Sequence, residues 1–183
     1  MSTTIDPVVL QQLVAQAVRQ LQKEGPQAAA PAVPAVHDEY GVFPTMADAI
    51  EASAAAQHTL LFQSPSQRQQ WIDVIRRTCL DKTNMQMMSR MAVEETAIGR
   101  YEDKVIKNTA AARYTPGIED LKTDARTGEH GLVLFEYCPF GVIGAITPTT
   151  NPTETIINNS ICMIAGGNTV VFSPHPRAKK TSI

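Results

Sequence analysis

The chain has 183 residues, a formal charge of −2 at pH 7 and 43% hydrophobic residues, enough to build one domain with its own core. The charge leaves no basic footprint, so nucleic acid is not expected as a partner. No apolar run approaches the ~18–20 residues of a membrane span, no charged-then-apolar leader opens the sequence, and the three scattered cysteines, Cys79, Cys138 and Cys162, fit a reducing, cytosolic compartment better than a disulfide framework.

Residues 5–23 read as an amphipathic helix. Asp6 is a good N-cap and Pro7 occupies the first helical position. Leu10, Leu13, Val14, Ala17 and Leu21 form one stripe, opposed by Gln11, Gln12, Gln16, Arg19, Gln22 and Lys23. A lone helix of this length needs something to dock on. That could be its own domain, but the segment Gly25 to Val36 is rich in Ala and Pro and free of charge, an extended, semi-rigid spacer. Only Arg19 and Lys23 are cationic, which favours a protein partner over a membrane surface. The expected organisation is a docking helix over 1–23, a linker over 24–37 and a folded part over 38–183.

Three helices open the folded part. Thr45, with Asp48 three residues on, starts an Ala-rich helix running to about Phe62. Ser64, Pro65 and Gln67 repeat the start signal, and Trp71, Ile72, Ile75 and Cys79 make an apolar face, with Cys79 as a small core residue. A third helix is expected over roughly Asn84 to Ala97, where Met85, Met88 and Met91 at helical spacing serve packing rather than metal binding. Gly99 breaks or ends it. Glu94 and Glu95 are adjacent, so they point to different sides of the helix and cannot act as a carboxylate dyad. Glu102, Asp103, Lys104 and Lys107 suggest a solvated face. Thr115-Pro-Gly117 is a turn, and residues 120–139, with a β-rich run from Leu132 to Tyr137, look like a hairpin arm.

The run from Phe140 to Pro176 organises the chain. Val142 to Ile146 is a short β-branched stretch, expected as a strand buried on both faces of a parallel sheet. Pro148 and Pro152 stop it, and five of the residues from Thr147 to Thr153 are Thr or Asn. A polar loop at the C-terminal end of a parallel strand is where open α/β sheets place ligands. Ile156, Ile157, Ile161 and Ile164 recur at helical spacing, Gly166-Gly167-Asn168 supplies the cap and turn, and Thr169 to Phe172 is a second buried strand. The last residues, Pro176 to Ile183, read as the first turn of a further helix. Two parallel strands and one crossover do not make a stable sheet, so a larger enzyme is expected around them.

Little else could carry chemistry. His37, His58, His130 and His175 show no metal-site spacing with the cysteines. There is no nucleophile elbow and no phosphate-binding Walker sequence. Phe140-Gly-Val-Ile-Gly144 has two glycines three apart but lacks the full dinucleotide pattern. Cys138 and Cys162 have neither a helix N-terminus nor a cationic neighbour in sequence to make them nucleophiles.

Glu136-x-x-Pro-Phe-Gly-Val-Ile-Gly-Ala-Ile-Thr-Pro148 and Ala165-Gly-Gly-Asn-Thr-Val-Val-Phe172 resemble the aldehyde dehydrogenase superfamily. Thr150-Asn-Pro-Thr-Glu-Thr-Ile-Ile-Asn-Asn159, Ser173-Pro-His-Pro176 with Lys179-Lys180, and Gly99-Arg-Tyr-Glu-Asp-Lys104 look like its CoA-acylating branch, the propionaldehyde and acetaldehyde dehydrogenases of bacterial microcompartments. The N-terminal helix and linker resemble the encapsulation peptide of those enzymes. The resemblance implies an α/β fold, aldehyde dehydrogenase-like, with a partial Rossmann-like NAD-binding domain, N-terminal helices and a β-hairpin arm for homo-oligomers. It implies oxidation of a short-chain aldehyde to an acyl-CoA, with NAD as cofactor and CoA as co-substrate, through a cysteine thioester. The alternatives are a hydrolytic NAD(P) aldehyde dehydrogenase and a non-catalytic assembly module.

The resemblance also assigns residues. Ile146, Thr147, Pro148 and Thr149, with Ser173, Pro174, His175 and Pro176, are implied to bind the cofactor. Thr150 and Asn151 are the oxyanion-hole candidates: hydrolytic members carry an Asn two residues after the loop proline, where this chain has Thr150, with Asn151 one further. Those members also carry a Lys at the end of the second strand, where this chain has Ser173, whose hydroxyl can contact the ribose. His175 lines the CoA and nucleotide entrance or is a solvent-facing loop residue. None of the three cysteines matches the family's nucleophile, which is expected beyond Ile183, so the chain alone is not expected to catalyse the reaction. Residues 1–23 are implied to bind microcompartment shell proteins, placing the protein in the lumen of a cytoplasmic microcompartment.

Overall fold

The computed structural model describes residues 41–183, all within the second of the two compact units into which the chain divides, Ala32–Ile183. The helix expected over residues 5–23 and the linker after it lie outside the described residues.

Side-chain caps set the first helices. Helix α1 (Met46–Leu60) starts at Thr45, which is extended and whose hydroxyl oxygen accepts the Asp48 N–H at 3.2 Å. The same hydroxyl donates to the Asp48 carboxylate at 2.8 Å, a shortened capping box. In α2 (Pro65–Leu80) Ser64 accepts the Gln67 N–H and proline occupies the first turn. Asp81 ends α2 and starts α3 (Lys82–Thr96), its carboxylate accepting the N–H groups of Thr83 and Asn84. This helix therefore begins two residues before the expected Asn84, because the aspartate supplies the cap. Ala97, in the left-handed region at φ 57°, already ends it, and Gly99 at φ 82° completes the turn. Helix α4 (Tyr101–Tyr114) has no side-chain cap, but Glu102 and Asp103 in its first turn complement the positive end of its dipole.

The C-terminal carbonyls of two helices are satisfied from α2. Arg76 donates to the carbonyls of Ala112, Arg113 and Thr115 at the end of α4. Arg68 donates to Ala165 at the end of α5 (Pro152–Ala165). These helix-end acceptors otherwise lack partners. The three helices meet in a core of Ile72, Ala112, Ile157, Ile161 and Ala165, edged by Ile75, Cys79, Leu80 and Ile164. Full burial of Ile72 and Ile161 contributes about 1.5–3 kcal/mol each. Met85 is buried and packs as expected, whereas Trp71 stays 36% exposed: it lies on the side of α2 that borders an open cavity rather than the core.

Two sheets of two strands follow. Strands β1 (Asp124–Gly128) and β2 (Gly131–Phe135) form an antiparallel hairpin with all ten residues exposed. Strands β3 (Val142–Thr147) and β4 (Thr169–Pro174) run parallel, joined through α5. The expectation that β3 is buried on both faces is not met: Ile146 is 88% exposed and Gly144 is exposed. Among the described residues β3 pairs only with β4, which leaves one edge of the strand open, and α5 and α1 cover it only in part.

Helix α1 lies against β4. The Gln57 side chain, itself buried, accepts the Thr169 N–H at 2.7 Å and donates to the Gly167 carbonyl at 2.9 Å, and the Thr169 hydroxyl bonds Ser53. Asn168 closes the turn: its Oδ1 accepts the N–H groups of Phe140 and Gly141, and its Nδ2 donates to the Gly166 carbonyl. After β4 only a short 3-10 turn forms, Lys180–Ser182, in place of the expected helical turn from Pro176. It is held by Glu95 of α3, whose carboxylate accepts the N–H groups of Lys180 and Thr181 and the Thr181 hydroxyl. Glu95 is thus a clamp, consistent with its exclusion from a catalytic dyad.

Candidate active-site loop

The parallel register brings the two groups of expected cofactor residues together. Ile146 lies opposite Ser173 and Thr147 opposite Pro174, so the C-terminal ends of β3 and β4 form one edge. Pro148, Thr149 and Thr150 leave β3 from that edge, and His175 and Pro176 leave β4 beside it. The His175 ring is occupied locally: its Nδ1 accepts the Arg177 N–H at 3.1 Å and its carbonyl accepts from Ala178. Among the described residues the Thr147 and Thr149 hydroxyls are buried and have no hydrogen-bond partner. Unsatisfied polar groups at the end of a parallel strand are suited to a polar ligand.

The loop enters α5 through Asn151 and Pro152. Asn151 holds the N-cap position with φ −138° and ψ 58°, but its side chain makes no capping bond. Its carbonyl accepts the first helical N–H, from Thr155. Its Oδ1 instead accepts from Lys107 Nζ at 3.2 Å. Thr150 offers its carbonyl to Lys104 Nζ.

Lys104 is the correction that matters most. The expected solvated face is wrong for this residue, which is 1% exposed and the largest of the fully buried side chains. Its ammonium sits 3.6 Å from Glu154 Oε1, in the first turn of α5, where the carboxylate is 11% exposed. Lys104, Asn108 and Ala112 form the buried face of α4 at i, i+4 and i+8. Asn108 Nδ2 continues that polar seam to Ser89 of α3. A lysine among charged neighbours carries no local mark of burial. What could have revealed it is the four-residue spacing to Asn108 and Ala112.

The cysteines behave as packing residues. Burial raises the thiol pKa of Cys79, and desolvation raises that of Cys162, against a smaller opposing effect from Arg76. Neither is primed as a thiolate. Cys138 is exposed beyond the hairpin. A cavity of about 1010 Å³ opens between α1 and β4, lined by Trp71, Phe172 and the expected cofactor residue Pro174 but by no residue of the 147–151 loop.

The family model for the aldehyde dehydrogenase family matches residues 43–183. The chain is 50% identical over 145 residues to a propanal dehydrogenase (CoA-propanoylating) of Citrobacter freundii, covering 78% of this chain and 31% of the relative. Among solved structures, an engineered glycolyl-CoA reductase with bound NADP+ aligns with a TM-score of 0.75 and 60% identity over 77% of this chain and 32% of the other. A propionaldehyde dehydrogenase from the fucose utilisation bacterial microcompartment of Clostridium phytofermentans aligns with a TM-score of 0.74 and 52% identity, again over 77% of this chain and 32% of the other. The chain thus spans about a third of the length of these relatives, and by its sequence and its α/β fold it belongs to the aldehyde dehydrogenase family.

Proposed function

We propose that the chain is the N-terminal portion of a CoA-acylating aldehyde dehydrogenase that oxidises a short-chain aldehyde, acetaldehyde or propionaldehyde, to the acyl-CoA. The observation that carries this reading is the shared edge of β3 and β4, where the register joins Ile146 and Thr147 to Ser173 and Pro174 beside two buried, unpartnered threonine hydroxyls. Those hydroxyls suit a nicotinamide dinucleotide, which when bound accepts the hydride. NAD is the proposed form. In this reading residues 146–149 and 173–176 hold the cofactor, and Thr150 and Asn151 face the aldehyde oxygen. The N-terminus of α5 adds a positive dipole end beneath the same oxygen as negative charge develops on it. The attacking thiol is expected from beyond Ile183, because burial raises the thiol pKa of Cys79 and Cys162 and Cys138 precedes β3, at the opposite end of that strand from the loop.

The likeness to a CoA-propanoylating propanal dehydrogenase and to a propionaldehyde dehydrogenase from a bacterial microcompartment supports CoA as co-substrate and a microcompartment setting. We assign residues 1–23 as the encapsulation segment that binds shell proteins, 24–37 as the linker and 38–183 as part of the NAD-binding domain. The enzyme then resides in the microcompartment lumen within the cytoplasm. The solvent-facing hairpin within 120–139, with Leu132, Val133, Leu134 and Phe135 at least half exposed, is the proposed oligomerisation arm of a homo-oligomer.

The test is NADH formation by the full-length protein with propionaldehyde, with and without CoA. Formation that depends on CoA is expected. Free acid formed at an equal rate without CoA would replace this reading with that of a hydrolytic dehydrogenase. Deleting residues 1–23 should abolish co-sedimentation with shells, and unchanged sedimentation would remove the encapsulation role.

A further inference from the structure

Two ammonium groups of α4 reach the loop between β3 and α5 from 44 and 46 residues away in sequence. Lys104 is buried, and its ammonium meets the Thr150 carbonyl and the Glu154 carboxylate. Gly99, at φ 82°, turns the chain beside the lysine stem in a left-handed conformation that favours glycine. Stability alone does not call for a lysine at this position. Replacing a buried ion pair by apolar groups of similar volume is often neutral or stabilising. The ammonium does have a geometric effect. In a trans peptide the carbonyl and the following N–H point in opposite directions. Holding the Thr150 carbonyl toward α4 therefore turns the Asn151 N–H away from it.

Lys107 acts on the same residue. A lysine ammonium can only donate, so the Asn151 amide must present Oδ1 to it, and Nδ2 is turned away. One residue thus directs a backbone donor and a side-chain donor off the helix side of the loop.

We infer that Lys104 and Lys107 are positioning residues that aim the two donors of Asn151 at the substrate oxygen, with Thr150 supplying the held carbonyl rather than a donor. This rests on the reaction proposed above. Lys104 sets the backbone, and Lys107 sets the amide.

The test uses the full-length protein. Lys104→Met should lower kcat about 10–100-fold, the scale of a misplaced reacting group, with KM for CoA and the Kd for NAD unchanged. Lys107→Met should lower kcat less, and should add nothing in an Asn151→Ala background. Wild-type kcat in Lys104→Met, or equal losses from Lys107→Met with and without Asn151, overturns the inference. If Lys104→Met fails to fold, the exposed Lys107 carries the same decision through its own kcat and the Asn151 cycle. Amide exchange separates this inference from the reaction it rests on. Faster exchange over residues 151–155 in Lys104→Met, at an unchanged melting temperature, supports positioning even if the wild type makes no NADH with CoA. Unchanged exchange refutes it.

Discussion

Asn168→Ala is the sharpest test of how the site is held. Asn168 is 7% exposed, and its Oδ1 accepts the N–H groups of Phe140 at 2.6 Å and Gly141 at 2.9 Å, immediately before β3. Its Nδ2 donates to the Gly166 carbonyl at 3.2 Å. Alanine leaves two backbone donors of part-buried bonds without a partner, at up to about 1–3 kcal/mol each, and removes a third bond of ordinary strength. Some relaxation toward water is open on the side of Phe140, a residue 95% exposed, so the loss should be about 2–4 kcal/mol. At a urea slope of about 2 kcal/mol/M, the unfolding midpoint should fall by about 1–2 M. The assay is urea titration of the chain, followed by far-UV circular dichroism and by its single tryptophan, Trp71. Asn168→Asp keeps both acceptor bonds and should lose less. A midpoint for Asn168→Ala within about 0.5 kcal/mol of wild type, the range of an ordinary surface change, would refute the accounting and free β3 from the turn before β4.

Further outcomes are as definite. Gln57→Leu strips partners from the Thr169 N–H and the Gly167 carbonyl and should cost about 2–3 kcal/mol in the same titration. A neutral result would mean that α1 does not depend on that contact. At Glu95, desolvation acts to raise the pKa but is outweighed by hydrogen bonds from Thr181 and the backbone of residues 179–181, leaving the pKa lowered. A lowered folded-state value gives stability that is present above the ordinary glutamate range and lost as pH falls through the folded value. Exchange protection of the Lys180 and Thr181 amides should therefore persist through the ordinary glutamate range and be lost only at a pH below it, and it should be absent at neutral pH in Glu95→Ala; protection that persists in Glu95→Ala contradicts the clamp. With iodoacetamide at pH 7.5, Cys138 should alkylate before Cys79 and Cys162, because burial keeps those two protonated. Mass spectrometry of partly labelled chain reads the order, and early labelling of Cys162 would contradict it.

What was legible in the sequence was local. Thr45, Ser64 and the Gly166-Gly167-Asn168 turn act over two to four residues, and the structure places caps and turn at those positions. The β3–α5–β4 unit was legible because β-branched runs and a four-residue isoleucine repeat have different periods. Lys104 was not, since its burial is decided by Thr150 and Glu154, far along the chain. The exposure of Ile146 was missed for the opposite reason: its composition is that of a central strand, while among the described residues only one neighbour pairs with it. At the site, the sequence placed the polar loop correctly but left Thr150 and Asn151 open. Their difference lies in which donor each meets, and that comes from α4.

The bonds joining α1 to the start of β4 bear on how the chain comes to be made. Gln57 and Ser53 meet Gly167 and Thr169 across 110 to 116 residues. Helices α2, α3 and α4 are adjacent in sequence and can associate while synthesis continues, whereas α1, produced before them, packs mainly on β4 and to a lesser extent on β3, both of which emerge much later. At about 5–20 residues per second, the apolar wall of α1 around Ala52, Ala55 and Leu60 waits several seconds uncovered. The first helix of the described residues is among the last to be secured, so a nascent-chain chaperone would find a long-lived target there.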